Sequence, residues 1–290
     1  RPGAPRKRCS GWCWARLHAL LWPPGEAPVC ERTVARILAR AGRRCLPERL
    51  VDPAPHRFER EAPNELWQAD FKRIGPRKER REALSVLDDA TRFCIALAGV
   101  EDQTLGSVWE MLWEAFGQFG LPEQILTDNG PAFRSNATWR WSSFDLRLML
   151  LGIRPLHGRP YHPQTQGKVE RFHGTLEREV RFEGSSEEEL SRFRDRYNWV
   201  RPHHALAMRT PGSVYVPSAR VRPARMPEPF FPAGAHLRRC DDSGVLTYRG
   251  CRYKLGRAMA RLPIGILVMD EVARFVWGDF VLADLKDMRV

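Results

Sequence analysis

The stretch from residue 124 to 130 reads QILTDNG, a short apolar run that ends in Asp128 and a polar turn. Two other stretches also carry an acid, WQADF at residues 67–71 with Asp70 and GKVERFH at residues 167–173 with Glu170. Asp70 and Asp128 lie in or at the end of strand-like runs, and Glu170 lies near the start of a predicted helix. Three carboxylates brought together form an all-oxygen site that favours Mg²⁺ or Mn²⁺. Two such ions, about 3.5–4 Å apart, support an in-line phosphoryl displacement.

Two longer segments carry a resemblance to a known family. LPEQILTDNGP (residues 121–131) resembles the second-aspartate segment of the integrase-core transposases, and RPYHPQTQGKVERFH (residues 159–173) resembles their glutamate segment. This superfamily contains bacterial insertion-sequence transposases and retroviral integrases and is named for its Asp-Asp-Glu triad. The resemblance covers about residues 64–218, and it implies an α/β, ribonuclease-H-like catalytic core. Asp70, Asp128 and Glu170 would bind two Mg²⁺ or Mn²⁺ ions there.

The spacing of the last two acids departs from the family pattern. Asp128 and Glu170 are separated by 41 residues, which is more than the family usually has. We place the surplus in a surface loop at residues 135–144, because a longer loop costs little closure entropy. The triad is therefore expected to stay intact.

The implied function is that of a DDE-type DNA transposase acting on the ends of a mobile element. It would cleave DNA at the element end and join the freed 3′-hydroxyl to target DNA, as a homo-oligomer, because two ends must be handled together. Two alternatives stay open: a metal-dependent nuclease of the same fold, and a non-catalytic DNA-binding protein from a domesticated or decayed element. The chain begins at Arg1 rather than Met, and loss of an upstream segment would favour the second alternative.

Composition supports a nucleic-acid partner. The 290 residues contain 47 Lys and Arg against 35 Asp and Glu, a net charge of +12 that favours a polyanion. No apolar run reaches the roughly 18–20 residues that a membrane span needs, and no signal peptide is evident. The seven Cys are odd in number and scattered, which is typical of free thiols in a bacterial cytoplasm. We therefore expect a cytoplasmic protein that associates with the nucleoid when bound to DNA.

The chain is long enough for two or three domains. Helical periodicity, Pro-rich stretches and short alternating strands delimit these segments. The prediction is a helix-turn-helix-like DNA-binding region at residues 1–46, a linker at 47–63, the catalytic core at 64–215, a second linker at 216–240 and a small β-barrel accessory domain at 241–290.

Six residues are predicted to contact DNA. Arg32, Arg36 and Arg40 lie on the outer side of a predicted recognition helix, although an amphipathic helix pair with a solvated basic face remains an alternative. Lys168, Arg171 and His173 flank Glu170 and are expected near the scissile phosphate. An ordinary solvated helix start is the alternative for these three.

Other residues compete for metal-binding roles. Asp88 and Asp89 follow a predicted strand and suit a hairpin turn, and Glu177 lies two helical turns, about 10 Å, beyond Glu170. The adjacent His203 and His204 fit a helix-end motif that packs on the core better than a metal site. A zinc site is also considered at Cys9, Cys13, His18 and Cys30, but their spacing fits no usual zinc pattern and disfavours it.

Overall fold

The computed structural model describes residues 13–22, 25–41, 60–75, 81–128, 130, 132–133, 141–158, 167–180, 187–269 and 272–284. The helices are α1 (Trp14–Leu21), α2 (Glu31–Arg40), α3 (Leu105–Phe119), α4 (Ser143–Leu150), α5 (Gly167–Glu179), α6 (Glu187–Trp199) and α7 (Pro211–Val214). The strands are β1 (Trp67–Ile74), β2 (Arg81–Asp88), β3 (Cys94–Val100), β4 (Gln124–Thr127), β5 (Arg154–His157), β6 (His236–Arg239), β7 (Val245–Tyr248), β8 (Cys251–Lys254), β9 (Pro263–Met269), β10 (Val272–Trp277) and β11 (Phe280–Asp284). Within these ranges no helix is both long and apolar enough to cross a bilayer.

The predicted α/β, ribonuclease-H-like fold is confirmed. Five strands form one sheet in the order β3-β2-β1-β4-β5, and β4 runs parallel to both β1 and β5. Three consecutive strands followed by strands alternating with helices is the ribonuclease-H-like arrangement that the resemblance implies. The predicted loop insertion at residues 135–144 lies largely outside the described residues.

The chain divides into two compact units. The first comprises Arg1–Pro63, Lys72–Gly99 and Pro163–Val216. Its core is built from apolar side chains of β2, β3, α5 and α6, with Val169 and Phe172 of α5 almost fully buried. Helix α5 is therefore held by one apolar face, since residues three and four apart share a side of a helix.

The second unit comprises Asn64–Phe71, Val100–His162 and Pro217–Val290. Leu146 and Met149 of α4 share a hydrophobic core with the strands that follow residue 240. The indole nitrogen of Trp277 also donates to the carbonyl of Leu146 at 3.1 Å. The C-terminal strands thus share a core with α4, and the domain boundary predicted at residue 241 stays a prediction.

The predicted C-terminal strands are present, but those described do not close into a barrel. They form an open four-stranded sheet, β11-β10-β9-β6, and a separate β7-β8 hairpin. Strand β6 lies in the predicted linker at 216–240. Its sequence, HLRR, has no alternation of apolar and polar residues to indicate a strand, and all four residues are exposed.

The Pro- and Arg-rich segment after Val216 is bound to the second unit rather than loose. Arg220 donates to the carbonyls of Pro122 at 2.6 Å, Leu151 at 3.1 Å and Gly152 at 2.9 Å. Its own carbonyl accepts from the amide of Leu121 at 2.7 Å. Proline content correctly excludes a core strand here, but it does not exclude a segment fixed by backbone and guanidinium hydrogen bonds.

The two predicted amino-terminal helices are present as α1 and α2. The Pro23-Pro24 turn lies outside the described residues. Of the predicted apolar stripe on α2, Val34 is buried whereas Ile37 is 55% exposed. Helix α1 is tied to the first unit through Arg16, whose Nε donates to the carbonyl of Pro202 at 3.1 Å.

Candidate active site

Asp70 and Asp128 lie at neighbouring positions on paired parallel strands. The register of β1 and β4 ends with Ala69 opposite Thr127, and the two aspartates are the next residues on each strand. Both are half-buried. Asp70 Oδ1 accepts from the amide of Phe71 at 2.8 Å, and Asp128 Oδ1 accepts from the amide of Gly130 at 2.9 Å. Because residues in register on parallel strands face the same way, the two carboxylates project from the same face of the sheet.

Gly130 allows a close approach to Asp128. A Cβ at residue 130 would lie 2.9 Å from Asp128 Oδ1 and 3.4 Å from Oδ2. A larger residue would therefore force the carboxylate to turn. The glycine of the DNG turn acts here through contact distance as well as through turn chemistry.

Glu170 lies in the first unit, on the exposed side of α5, in the first turn of the helix. Its neighbours Val169 and Phe172 are buried, so the backbone that carries it is fixed by packing. A negative charge in the first turn is also favoured by the helix dipole.

Lys168 is partly buried and His173 is buried, and contact of either residue with DNA stays a prediction. Lys168 Nζ pairs with Asp89 Oδ2 at 2.6 Å, and the two side chains are 9% and 0% exposed. His173 is 5% exposed, and its Nε2 lies 2.8 Å from Ser85 Oγ. Burial, assisted by the charge of Lys72 and opposed by Glu177, lowers the pKa of His173 to about 4. Of these three flanking residues, Arg171 alone is exposed, and its contact with DNA stays a prediction.

The competing acids have other roles. Asp88 Oδ1 accepts from the amide of Thr91 at 2.9 Å and from its hydroxyl at 2.6 Å, which confirms the predicted turn. Asp89 accepts from the amide of Arg60 at 2.7 Å in addition to its pair with Lys168. Glu177 forms a 2.7 Å pair with Lys72.

Each of the candidate zinc ligands that the structure describes contacts a different group. Cys13 Sγ lies 3.7 Å from His204 Nε2, His18 Nε2 lies 2.7 Å from the carbonyl oxygen of Val29, and Cys30 Sγ lies 3.4 Å from Thr33 Oγ1. Cys9 is outside the described residues. The ring of His203 packs edge-on against Tyr197 with centroids 4.7 Å apart, as a helix-end packing motif does.

The three arginines of α2 are all exposed. Arg36 Nη2 donates to Thr33 Oγ1 at 3.1 Å on the same helix. This exposed basic side agrees equally with a DNA-reading helix and with a solvated one, so the assignment of Arg32, Arg36 and Arg40 to DNA remains a prediction.

The two aspartates of β1 and the end of β4 fit a divalent cation. Asp70 and Asp128 offer paired carboxylates, the donors that Mg²⁺ and Mn²⁺ prefer. In the part of the chain that the structure describes, no cluster of three or more His, Cys, Asp or Glu side chains is placed to hold a metal. The fit therefore rests on the two aspartates.

Sequence reasoning did not find a set of polar side chains next to Asp128. Thr127 Oγ1 lies 3.1 Å from His157 Nδ1, and His157 Nε2 lies 2.9 Å from Asp145 Oδ1. Asp145 and Ser142 together form a capping box at the start of α4. The Ser-x-x-Asp spacing at residues 142–145 is a readable capping signal, but Ser142 was assigned to a surface loop. Nothing local indicates that His157 bridges α4 and β4.

Comparison with known proteins places the chain in a family. Two family models, both described as an integrase core domain, match residues 60–163 and residues 151–211. An uncharacterized 39.2 kDa protein of insertion element IS476 from Xanthomonas euvesicatoria is 28% identical over 76% of this chain and 64% of its own length. The Gag-Pro-Pol polyprotein of sheep pulmonary adenomatosis virus is 30% identical over 52% of this chain and 8% of the polyprotein.

Among solved structures, a chain of the simian T-cell lymphotropic virus intasome in complex with PP2A regulatory subunit B56 gamma is 21% identical. The alignment covers 88% of this chain and 91% of that chain, with a TM-score of 0.49. The chain spans less than two thirds of the insertion-element relative and a small part of the viral polyprotein. The two integrase-core matches together cover residues 60–211, more than half of the 290 residues, and this chain belongs to the integrase-core superfamily of insertion-element proteins and retroviral integrases.

Proposed function

We propose that this chain is a DDE-type transposase that cuts DNA at the ends of its element and joins the freed 3′-hydroxyl to target DNA. One observation carries the proposal: Asp70, within β1, and Asp128, directly after β4, each follow the last register pair of these parallel strands, Ala69 opposite Thr127. Membership of the integrase-core superfamily supports assigning these acids to phosphoryl transfer.

In the proposed site, Glu170 joins Asp70 and Asp128, and the three carboxylates hold two Mg²⁺ or Mn²⁺ ions. When bound, the ions supply activation of the attacking oxygen and stabilisation of the leaving oxygen. The three carboxylates would offset most of the positive charge of two dications. The amides of Phe71 and Gly130 fix the aspartates by hydrogen bonds. No Ser or Tyr nucleophile is required. Water attacks the phosphodiester at the element end and its 3′-oxygen leaves as a free hydroxyl; that hydroxyl then attacks a target phosphodiester, from which the target 3′-oxygen leaves.

The DNA partner is proposed from charge. The net charge of +12 favours a polyanion. The exposed arginines of α2 are proposed to recognise the element ends, and Arg171 is proposed to contact a phosphate close to Glu170. A homo-oligomer on DNA is proposed because two element ends must be handled at once. The bacterial cytoplasm is proposed as its location from the similarity to a bacterial insertion-element protein.

The test is a strand-transfer assay with labelled duplexes that carry candidate end sequences taken from the DNA on either side of the gene, searched for inverted repeats. Asp70→Asn, Asp128→Asn and Glu170→Gln should each abolish Mg²⁺-dependent cleavage and joining while largely sparing DNA binding, because loss of a metal ligand removes several kcal/mol of transition-state stabilisation. Glu177→Gln is the matched control, since it removes a carboxylate from the same helix two turns away.

Each outcome of this assay discriminates between functions. A Glu170→Gln protein that joins strands at a near-normal rate would overturn the triad assignment. Wild-type protein that cuts but never joins would indicate the nuclease. Binding of the repeats without any metal-dependent cutting by the wild type would indicate the non-catalytic alternative.

The end-recognition proposal has its own test. The double change Arg32→Ala and Arg36→Ala should weaken binding to the repeats and lower the salt dependence by about two counterions if both side chains contact phosphate. An equal loss of affinity for cognate and random duplexes would make these residues positioning contacts rather than sequence readers. Unchanged binding to both duplexes would make α2 a structural helix.

A further inference from the structure

A bridge of three side chains links helix α4 to the residue before Asp128. It consists of Asp145, His157 and Thr127, with 2.9 Å between Asp145 Oδ1 and His157 Nε2 and 3.1 Å between His157 Nδ1 and Thr127 Oγ1. All three residues lie in the second unit. The bridge spans α4, β5 and β4, which are separate elements joined at this point by side chains.

Burial makes the bridge expensive to break. Asp145 and Thr127 are both 0% exposed, so an unpaired carboxylate or hydroxyl would lose its hydrogen bonds to water without replacement. Asp145 Oδ2 accepts from the amide and hydroxyl of Ser142 at 2.8 and 3.0 Å, which fixes the carboxylate to the start of α4. Asp145 accepts a hydrogen bond from the Nε2–H of the ring, which orients His157 so that its Nδ1 meets the Thr127 hydroxyl.

The bridge acts on the end of β4. Thr127 is opposite His157 in the parallel register of β4 and β5, and its carbonyl accepts from the amide of Gly158 at 2.9 Å. Both the side chain and the carbonyl of Thr127 are therefore fixed by the end of β5. Successive side chains of a strand project to opposite faces, so fixing Thr127 also fixes the direction of Asp128, one residue further on.

We propose that Asp145 and His157 are positioning residues that act through Thr127 to aim the Asp128 carboxylate for divalent metal binding. This inference rests on the proposed function, because it assigns Asp128 to a metal. Hydrogen-bonded groups behind metal ligands typically change metal affinity by about 10- to 100-fold when they are removed. A bridge that only stabilised the fold would change the melting temperature and leave the metal affinity unchanged.

The decisive variant is Thr127→Val, which is close to isosteric and removes only the hydroxyl. The Mn²⁺ concentration for half-maximal joining should rise about 10-fold or more, and the same shift should appear in the Mn²⁺-dependent increase of Tm measured without DNA. Thr127→Ser restores the hydroxyl and should return both midpoints to within about threefold of the wild type, well inside the shift that loss of the bridge produces. Thr104→Val is the matched control, because it removes a Thr hydroxyl that caps α3 and has no part in the bridge.

Asp128→Asn distinguishes a failure of the proposed function from a failure of the positioning role of the bridge. If Asp128→Asn retains joining and the Mn²⁺-dependent rise in Tm, the proposed function itself fails. If Asp128→Asn abolishes both while Thr127→Val shifts neither Mn²⁺ midpoint, the bridge is structural and this inference alone is overturned. Should Thr127→Val not fold, His157→Gln decides by the same titration, since Gln cannot place polar atoms on both partners of the ring.

Discussion

Replacing Lys168 with Met is expected to destabilise the protein strongly without weakening its hold on DNA. The Lys168 side chain is 9% exposed, and its ammonium lies 2.6 Å from the fully buried carboxylate of Asp89. Removing the cation leaves that carboxylate buried without its counter-charge, and breaking a buried pair from one side typically costs about 3–5 kcal/mol. The exposure of the side chain leaves little surface through which a phosphate could approach.

The matched control is Lys72→Met. Lys72 and Glu177 are just as close, at 2.7 Å, but their side chains are 32% and 52% exposed. An exposed pair of this kind contributes about 0–1 kcal/mol, so this variant should unfold at nearly the wild-type urea concentration. The contrast between the two lysines isolates burial as the cause.

Urea denaturation and salt-dependent fluorescence anisotropy with random duplex DNA measure the two effects. Adding Asp89→Leu to Lys168→Met should recover much of the lost stability, because an apolar pair no longer buries an unpaired charge. The reasoning is refuted if Lys168→Met loses less than about 1 kcal/mol and its salt slope falls by about one counterion. Such a result would mean that the ammonium leaves Asp89 to bind DNA.

Three further predictions concern His173, Gly130 and the C-terminal strands. Burial lowers the pKa of His173 to about 4, below its usual 6.5, so the unfolded chain is protonated first on acidification. The unfolding free energy of the wild type relative to His173→Asn should therefore fall by about 2–3 kcal/mol between pH 7 and pH 4, as measured by urea titration at each pH, and an unchanged difference would contradict the burial argument. Gly130→Ala should raise the half-saturating Mn²⁺ concentration about 10-fold or more by displacing Asp128, whereas Gly106→Ala, whose Cβ would meet nothing closer than 3.7 Å, should leave it unchanged. Deleting residues 217–290 should give an aggregating product in thermal scans, because Leu146 and Met149 lose their apolar partners; a soluble fragment with cooperative unfolding would instead support the boundary predicted at residue 216.

The strands and helices of the core were predictable because each has a local pattern. Val108 and Leu112 recur at helical spacing and lie on one buried face of α3, whose N-cap is Thr104. The apolar run before Asp128 was predicted at residues 124–127 and is β4. Periodicity and end signals lie within a few residues of each other, so one sequence is sufficient to read them. The neighbouring positions of Asp70 and Asp128 then follow from the parallel pairing.

The partners of buried polar side chains were not predictable in this way. Lys168 and Asp89 are 79 positions apart, and no local pattern indicates that a helix-start lysine pairs with a hairpin aspartate. A lysine near the start of a helix is equally suited to a phosphate and to a buried carboxylate, and only the packing of α5 against β2 and β3 decides between them. The same holds for His173, whose partner Ser85 lies on β2.

Composition also set a limit at the C-terminal end of the core. Four prolines between residues 216 and 229 argue against a core strand, and the described residues there form none. Arg220 nevertheless binds three carbonyls of the second unit, and Arg222 lies over the ring of Trp113 at 4.4 Å. Proline removes backbone donors but leaves carbonyls and neighbouring guanidinium groups able to bind, so a proline-rich segment is excluded from a sheet without being released from the surface. Within the second unit, the C-terminal strands are consequently held by a fixed segment and by the core shared with α4, the helix whose Asp145 contacts His157.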